Sequence, residues 1–81
     1  MADTYTIEAE YTDTFAGEAN YSWVRRATLE IPHGTSDRAI MRRAKQALGL
    51  SGLRGKTYSN GDYWEFRPYG ICTILFLQVR Y

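Results

Sequence analysis

Residues 56–65 read KTYSNGDYWE, and this stretch decides the fold because it holds the clearest turn signal in the chain. The turn signal is the dipeptide Asn60-Gly61. Asparagine and glycine adopt the positive φ angles that a two-residue type I′ turn requires. A β-hairpin centred on Asn60-Gly61 is therefore predicted. Its register would form one aromatic pair and one ion pair across the hairpin: Tyr58 with Tyr63, and Lys56 with Glu65.

Two more strands are predicted near the start of the chain. Residues 4–12 (TYTIEAEYT) and residues 21–31 both alternate between apolar and polar side chains. Between them, residues 13–20 indicate a connecting loop because they hold Gly17 and Asn20. Sequential strands with a short connection pair antiparallel. The predicted register gives two favourable cross-strand pairs: Glu8 with Arg26, and Thr6 with Thr28.

One amphipathic helix is predicted near residues 36–48. Thr35 or Ser36 can cap its first turn, Asp37 favours the positive end of the helix dipole, and Gly49 suits the left-handed residue past the helix end. Apolar side chains recur along one face at helical spacing: Ile40, Met41, Ala44, Ala47 and Leu48. The small alanines in this stripe indicate that the helix lies close against a sheet.

The remaining elements complete the fold class. A turn at Pro68-Tyr69-Gly70 leads into residues 71–80, the most apolar strand, which is predicted to be central. The element order is strand–strand–helix–strand–strand–strand. We therefore predict a single α+β domain over residues 1–81, with a four- to five-stranded antiparallel sheet and one helix on one face. The predicted core comprises Tyr5, Ile7, Trp23, Leu29, Ile40, Ala44, Leu48 and alternate residues of 71–79.

Several classes of protein are disfavoured. The acidic start of the chain lacks the bases and the apolar region of a signal peptide. The apolar run 71–79 is far shorter than the about 20 residues of a spanning helix. Cys72 is the only cysteine, so neither a disulfide framework nor a four-ligand zinc site is expected. We expect a soluble, cytoplasmic protein with no membrane contact, no metal and no cofactor.

No group of residues predicts catalysis. His33, the only histidine, lies between Pro32 and Gly34 and is predicted to be a solvated loop residue. Cys72 lies in an apolar strand and is predicted to be a small buried hydrophobic residue, not a nucleophile. Glu8 and Glu10 share one strand face, but acid–base chemistry needs a cleft around such a pair. The sequence therefore predicts a protein that is not an enzyme.

Charge is segregated along the chain, although the formal net charge is only +1. The first twenty residues carry acids and no base: Asp3, Glu8, Glu10, Asp13 and Glu18. Residues 36–56 carry bases against Asp37 alone: Arg38, Arg42, Arg43, Lys45, Arg54 and Lys56. Such asymmetry bears on what the surface attracts. It favours a binding surface over an active site.

The two charged regions give two hypotheses. In the first, an acidic face (Glu8, Glu10, Asp13 and Glu18) docks onto a basic, nucleic-acid-handling surface of another protein, and tyrosines supply contact area. In the alternative, a basic helix face (Arg38, Arg42, Arg43 and Lys45, extended by Arg54 and Lys56) contacts phosphate groups, while exposed tyrosines stack on bases. Each surface also has a simpler explanation, namely ordinary solubilising charge.

The chain as a whole resembles small proteins of bacteriophages and mobile elements, among them the anti-CRISPR inhibitors. The likeness consists of a short α+β chain, segregated charge, many aromatic residues and no catalytic motif. Anti-CRISPR proteins share no common motif, so no residue role is carried over. The resemblance implies an inhibitor in the bacterial cytoplasm that occludes a surface of a CRISPR surveillance complex. Its partner would be a host protein or a protein–RNA complex.

Overall fold

The computed structural model describes residues 4–80 and confirms the predicted α+β fold. Within these residues the elements follow the predicted order: β1 (Thr4–Phe15), β2 (Glu18–Pro32), α1 (Asp37–Ala47), β3 (Gly55–Asn60), β4 (Tyr63–Pro68) and β5 (Thr73–Arg80). The strands form one antiparallel sheet in the spatial order β2-β1-β5-β4-β3. The most apolar strand, β5, therefore lies at the centre of the sheet, as predicted.

The core lies between α1 and one face of the sheet. Alternation along the strands directs one set of side chains toward the helix and leaves the other set on an open face. The buried apolar cluster consists of Ile7, Ala9, Tyr11, Ile31, Ile40, Met41, Ala44, Leu48, Leu50, Trp64, Phe66, Leu75 and Leu77. Of the predicted core residues outside this cluster, Tyr5, Leu29 and Val79 pack against it. The prediction for Trp23 is wrong, because Trp23 is 42% exposed.

The helix begins and ends close to where its sequence predicts. The Ser36 Oγ caps the first turn by accepting a hydrogen bond of 3.2 Å from the Ala39 N–H. Gly49 follows the helix with a φ of +74°, a conformation that favours glycine. This helix, with 11 residues, is too short to span a membrane, and no other helix occurs between residues 4 and 80.

The far end of the first hairpin differs from its prediction. Residues 13–20 are not a loop, because β1 and β2 continue to a two-residue turn at Ala16-Gly17. These two residues have φ angles of +54° and +84°, as a type I′ turn requires. The predicted Glu8–Arg26 register is wrong by two residues, because Arg26 lies opposite Glu10.

A bulge in β2 causes this shift of register. Between the paired positions Thr14–Ala19 and Thr12–Val24, one residue of β1 faces four residues of β2. Within the bulge, Tyr21 has a φ of +57°, and its ring contacts Phe76 with a centroid distance of 6.2 Å. The ring of Tyr21 therefore lies on the open face and not on the core side, where the simple alternation of residues 21–31 would place it.

The second hairpin is present, but its turn lies one residue later than predicted. Asn60 pairs with Tyr63, so Gly61-Asp62 occupy the centre of the turn. Gly61 has the positive φ, +63°, at the first central position, as in a type II′ turn. Asn60 does not adopt a positive φ. The two predicted side-chain pairs are consequently wrong. The observed pairs are Tyr58 with Glu65 and Lys56 with Arg67.

The last strand starts later than predicted, at Thr73. The chain bends at residues 69–72, which leaves Ile71 46% exposed and Cys72 exposed as a free thiol. The prediction of a buried Cys72 is therefore wrong. Burial had been predicted because Cys72 was placed inside the apolar strand, whereas it lies just before the first residue of β5.

Candidate nucleic-acid interface

Two of the predicted acidic residues form ion pairs on the open face of the sheet. The Arg26 Nε donates to the Glu10 Oε2 at 2.8 Å, and Arg80 forms a second pair with Glu8. Both arginines lie on strands next to β1, so the pairs cross the sheet. Exposed pairs of this kind contribute little stability. They do, however, balance the negative charge that the sequence placed on this surface.

Asp13, the third predicted acidic residue, holds the bulge of β2. Its carboxylate accepts hydrogen bonds from the Ser22 Oγ at 2.5 Å, the Asn20 Nδ2 at 2.9 Å and the Ser22 N–H at 3.0 Å. These bonds, led by that of Ser22, lower the pKa of Asp13 from 3.8 to about 2. The contacts give Asp13 a structural role in the hairpin.

Glu18, the fourth residue of the predicted acidic face, is exposed at the tip of the first hairpin. Within residues 4–80 no hydrogen bond or ion pair involves its carboxylate. The four acids therefore do not form one unpaired surface. Glu18 alone keeps a free carboxylate.

The basic helix face keeps its charge unpaired. Arg38, Arg42 and Arg43 are exposed on α1. Among the residues that the structure describes, no side chain or carbonyl pairs with these three guanidinium groups. In contrast, three arginines of the sheet each form an ion pair with a glutamate: Arg26, Arg67 and Arg80. Positive charge is therefore most available on the helix.

Lys45 belongs to the same predicted set but has structural contacts. Its Nζ donates to the Leu53 carbonyl at 3.1 Å and lies 4.3 Å from the centre of the Phe66 ring. The first contact ties the helix to the loop before β3, and the second is a cation–π interaction. Lys45 thus joins α1 to the sheet while its charge stays on the same flank as Arg38 and Arg42.

Of Arg54 and Lys56, the two residues predicted to extend the basic patch, Lys56 lies on the face of the sheet opposite the helix. Arg54 is exposed in the loop before β3, where its carbonyl accepts from the Tyr69 N–H at 2.9 Å. Lys56 lies opposite Arg67, which shares the open face of the sheet with Glu65. Since α1 covers the other face, Lys56 does not extend the basic helix face.

A groove of about 570 Å³ separates α1 from the edge strand β3. Its volume falls in the range of about 300–1,000 Å³ that is usual for ligand sites. The lining residues are Asp37, Arg38, Met41, Arg42, Lys45, Gln46, Ser51, Gly52, Thr57 and Ser59. Arg43 lies outside the groove, because successive helical residues point about 100° apart.

Strand β3 supplies a second wall of the groove, which was not predicted from the sequence. Thr57 lies opposite the buried Phe66 and Ser59 opposite the buried Trp64, so both side chains face the helix side of the sheet. The sequence does hold a sign of this wall: Thr57 and Ser59 are two positions apart on β3, so their side chains lie on the same face of the strand. Interpreting it required knowledge that β3 is the edge strand and that the helix stops short of covering it.

The two other candidates for chemistry stand apart from the groove. His33 is exposed, as predicted, and its ring lies 5.0 Å from that of Tyr5. Cys72 is exposed near the start of β5. Among residues 4–80, no three His, Cys, Asp or Glu side chains are grouped so that they could hold a metal ion.

Comparison of the chain with protein-family models, with curated proteins and with solved structures found no match. The resemblance to anti-CRISPR inhibitors therefore gains no support from a relative. Two features of the molecule bear on its function: the unpaired positive charge of the helix and the groove beside it.

Proposed function

We propose that this chain is a non-enzymatic nucleic-acid-binding protein that contacts phosphate groups through the basic face of α1, which carries Arg38, Arg42 and Arg43. One observation carries the proposal: these three exposed guanidinium groups share one short helix and have no partner within the described chain. A guanidinium group presents a planar fork of N–H donors that matches a phosphate group. Unpaired arginines of this kind are typical of proteins that bind a nucleic-acid backbone.

The acidic residues no longer oppose this function. Glu8 and Glu10 are paired with arginines on the open face of the sheet, and α1 lies on the opposite face. A phosphate backbone that approaches the helix therefore meets mainly positive charge.

The test compares two doubly substituted variants that lose the same charge. Arg42→Gln with Arg43→Gln alters the helix, and Arg26→Gln with Arg80→Gln alters the sheet. Fluorescence anisotropy with labelled DNA and RNA, single- and double-stranded, is measured at about 50 mM salt, where phosphate contacts are strong. We expect the helix variant to lose most of its affinity and the sheet variant to keep it. Absence of binding by the unaltered chain, or equal loss in both variants, would refute the proposal.

A second candidate is the inhibitor of a CRISPR surveillance complex in the bacterial cytoplasm. The observation that favours it is the tip of the first hairpin, where Phe15 is 73% exposed beside the unpaired Glu18. An exposed aromatic residue next to a free carboxylate suits docking to a basic protein surface. Purified complex would be assayed for target cleavage with an excess of the chain. Inhibition that Phe15→Ser and Glu18→Lys abolish, and that Arg42→Gln leaves intact, would favour this candidate.

A further inference from the structure

The groove between α1 and β3 has one cationic wall. Arg38, Arg42 and Lys45 lie along the flank of the helix that faces β3, and all three line the groove. Arg38 and Lys45 are seven positions apart along the helix, a rise of about 10 Å. A cationic wall of this length can face more than one phosphate group of a nucleic-acid strand. Asp37, at one end, already accepts a hydrogen bond from Trp64.

The opposite wall offers hydrogen-bond donors. Thr57 and Ser59 line the groove. The Ser59 Oγ donates to the Asp37 Oδ2 at 3.5 Å, whereas no partner of the Thr57 hydroxyl occurs within residues 4–80. The two-residue turn makes Asn60 and Tyr63 a hydrogen-bonded pair, so bonding alternates along the hairpin from there. The N–H groups of Thr57 and Ser59 consequently point away from β4, toward the free edge of the sheet.

These two walls supply what a phosphate backbone requires, namely cations, hydroxyl groups and backbone amides. We infer that the groove binds the sugar–phosphate backbone of a single-stranded nucleic acid. This inference rests on the proposed function and specifies its ligand. A single strand can enter a space bounded by one helix and one strand edge, whereas a duplex is too wide and would reach only the outer arginines. Arg42, which lines the groove, should then matter more than Arg43, which does not.

The matched pair Arg42→Gln and Arg43→Gln tests this geometry, since both changes remove one charge from neighbouring helical positions. The probes are labelled oligodeoxythymidine and a DNA duplex of equal length at about 50 mM salt. We expect tighter binding of the single strand. Its affinity should fall about tenfold in Arg42→Gln, as for a lost charged hydrogen bond, and about twofold in Arg43→Gln, which loses only distant attraction.

Thr57→Val tests the second wall without changing the volume of the side chain. We expect an about fivefold loss of affinity for the single strand and recovery in Thr57→Ser, which restores the hydroxyl group. Unaltered binding by Thr57→Val and equal losses in the two arginine variants would overturn the inference. Polyglutamate competing as well as oligodeoxythymidine would overturn it too, because an acidic peptide at the edge of β3 would then fit as well.

Failure of this inference differs from failure of the proposed function. If the duplex binds at least as tightly as the single strand and Arg43→Gln weakens binding as much as Arg42→Gln, the helix binds nucleic acid but the groove is not the site. If neither the single strand nor the duplex binds, the proposed function is refuted, and the inference that rests on it is refuted as well.

Discussion

The Nε1 of Trp64 donates a hydrogen bond of 3.0 Å to the Oδ1 of Asp37. Trp64 is a buried residue of β4, and Asp37 is the first residue of α1. The bond therefore fixes the start of the helix to the sheet, while Lys45 ties its last turn to the Leu53 carbonyl at 3.1 Å. These two attachments set the position of the helix beside β3, and with it the groove.

We predict that Asp37→Ala destabilises the fold by about 1–2 kcal/mol. The substitution leaves the buried indole N–H without its acceptor and removes a favourable charge from the first helical turn. Urea unfolding followed by circular dichroism measures the effect. Asp37→Asn is the control, because an amide oxygen can still accept from Trp64, and it should lose less than half as much. Asp37→Ala as stable as the unaltered chain would contradict the role of this bond.

Asp13 should make the stability of the first hairpin depend on pH. Its pKa is about 2 in the folded chain against an ordinary value of 3.8, so folding favours the carboxylate form. The resulting stabilisation is complete above about pH 4 and is lost as the pH falls through about 2. We expect the gap in Tm between the unaltered chain and Asp13→Asn to shrink across that range. A gap that stays constant down to pH 2 would contradict the assignment.

Gly55 is predicted to be irreplaceable by alanine. A Cβ at this position would lie 2.2 Å from the carbonyl oxygen of Arg67 on β4, a clash with backbone that no side-chain rotation relieves. We expect Gly55→Ala to destabilise the chain by about 1–3 kcal/mol and to loosen β3. Hydrogen exchange of the β3 amides, compared with Ser51→Ala in the adjoining loop, measures this. Unchanged protection in Gly55→Ala would refute the prediction.

Local patterns were sufficient to predict most of the fold. Alternation, helical spacing and glycine-containing turns gave the elements in their correct order, and they placed the most apolar strand at the centre. They did not give the register of either hairpin. The bulge around Tyr21 depends on the carboxylate of Asp13, and a period-two pattern holds no sign of such a long insertion.

The candidate site was harder to predict because charge pairing is a property of the assembled sheet. Glu8 meets Arg80 from the far end of the chain, and Glu10 meets Arg26 only after the bulge has shifted the register. The number of charges along the sequence therefore overestimates the unpaired negative charge of the acidic face. The basic helix was easier to predict, since its arginines are close in sequence. Its groove was missed because the second wall comes from β3.

Cys72 should react readily in the folded chain. It is exposed, whereas the apolar sequence around it had suggested burial. We predict that a thiol reagent such as DTNB modifies it at nearly the same rate with and without denaturant. A reaction that is slow until the chain is unfolded would show that Cys72 is protected after all.

The salt dependence of nucleic-acid binding tests the central claim most directly. Each phosphate contact on a single strand contributes a slope of about −0.7 to the logarithm of affinity against the logarithm of salt concentration. With two to three contacts from the helix, we predict a slope of about −1.4 to −2.1 for oligodeoxythymidine, and one smaller in magnitude by about 0.7 for Arg42→Gln. A slope near zero, or the same slope in both proteins, would contradict phosphate binding by the helix.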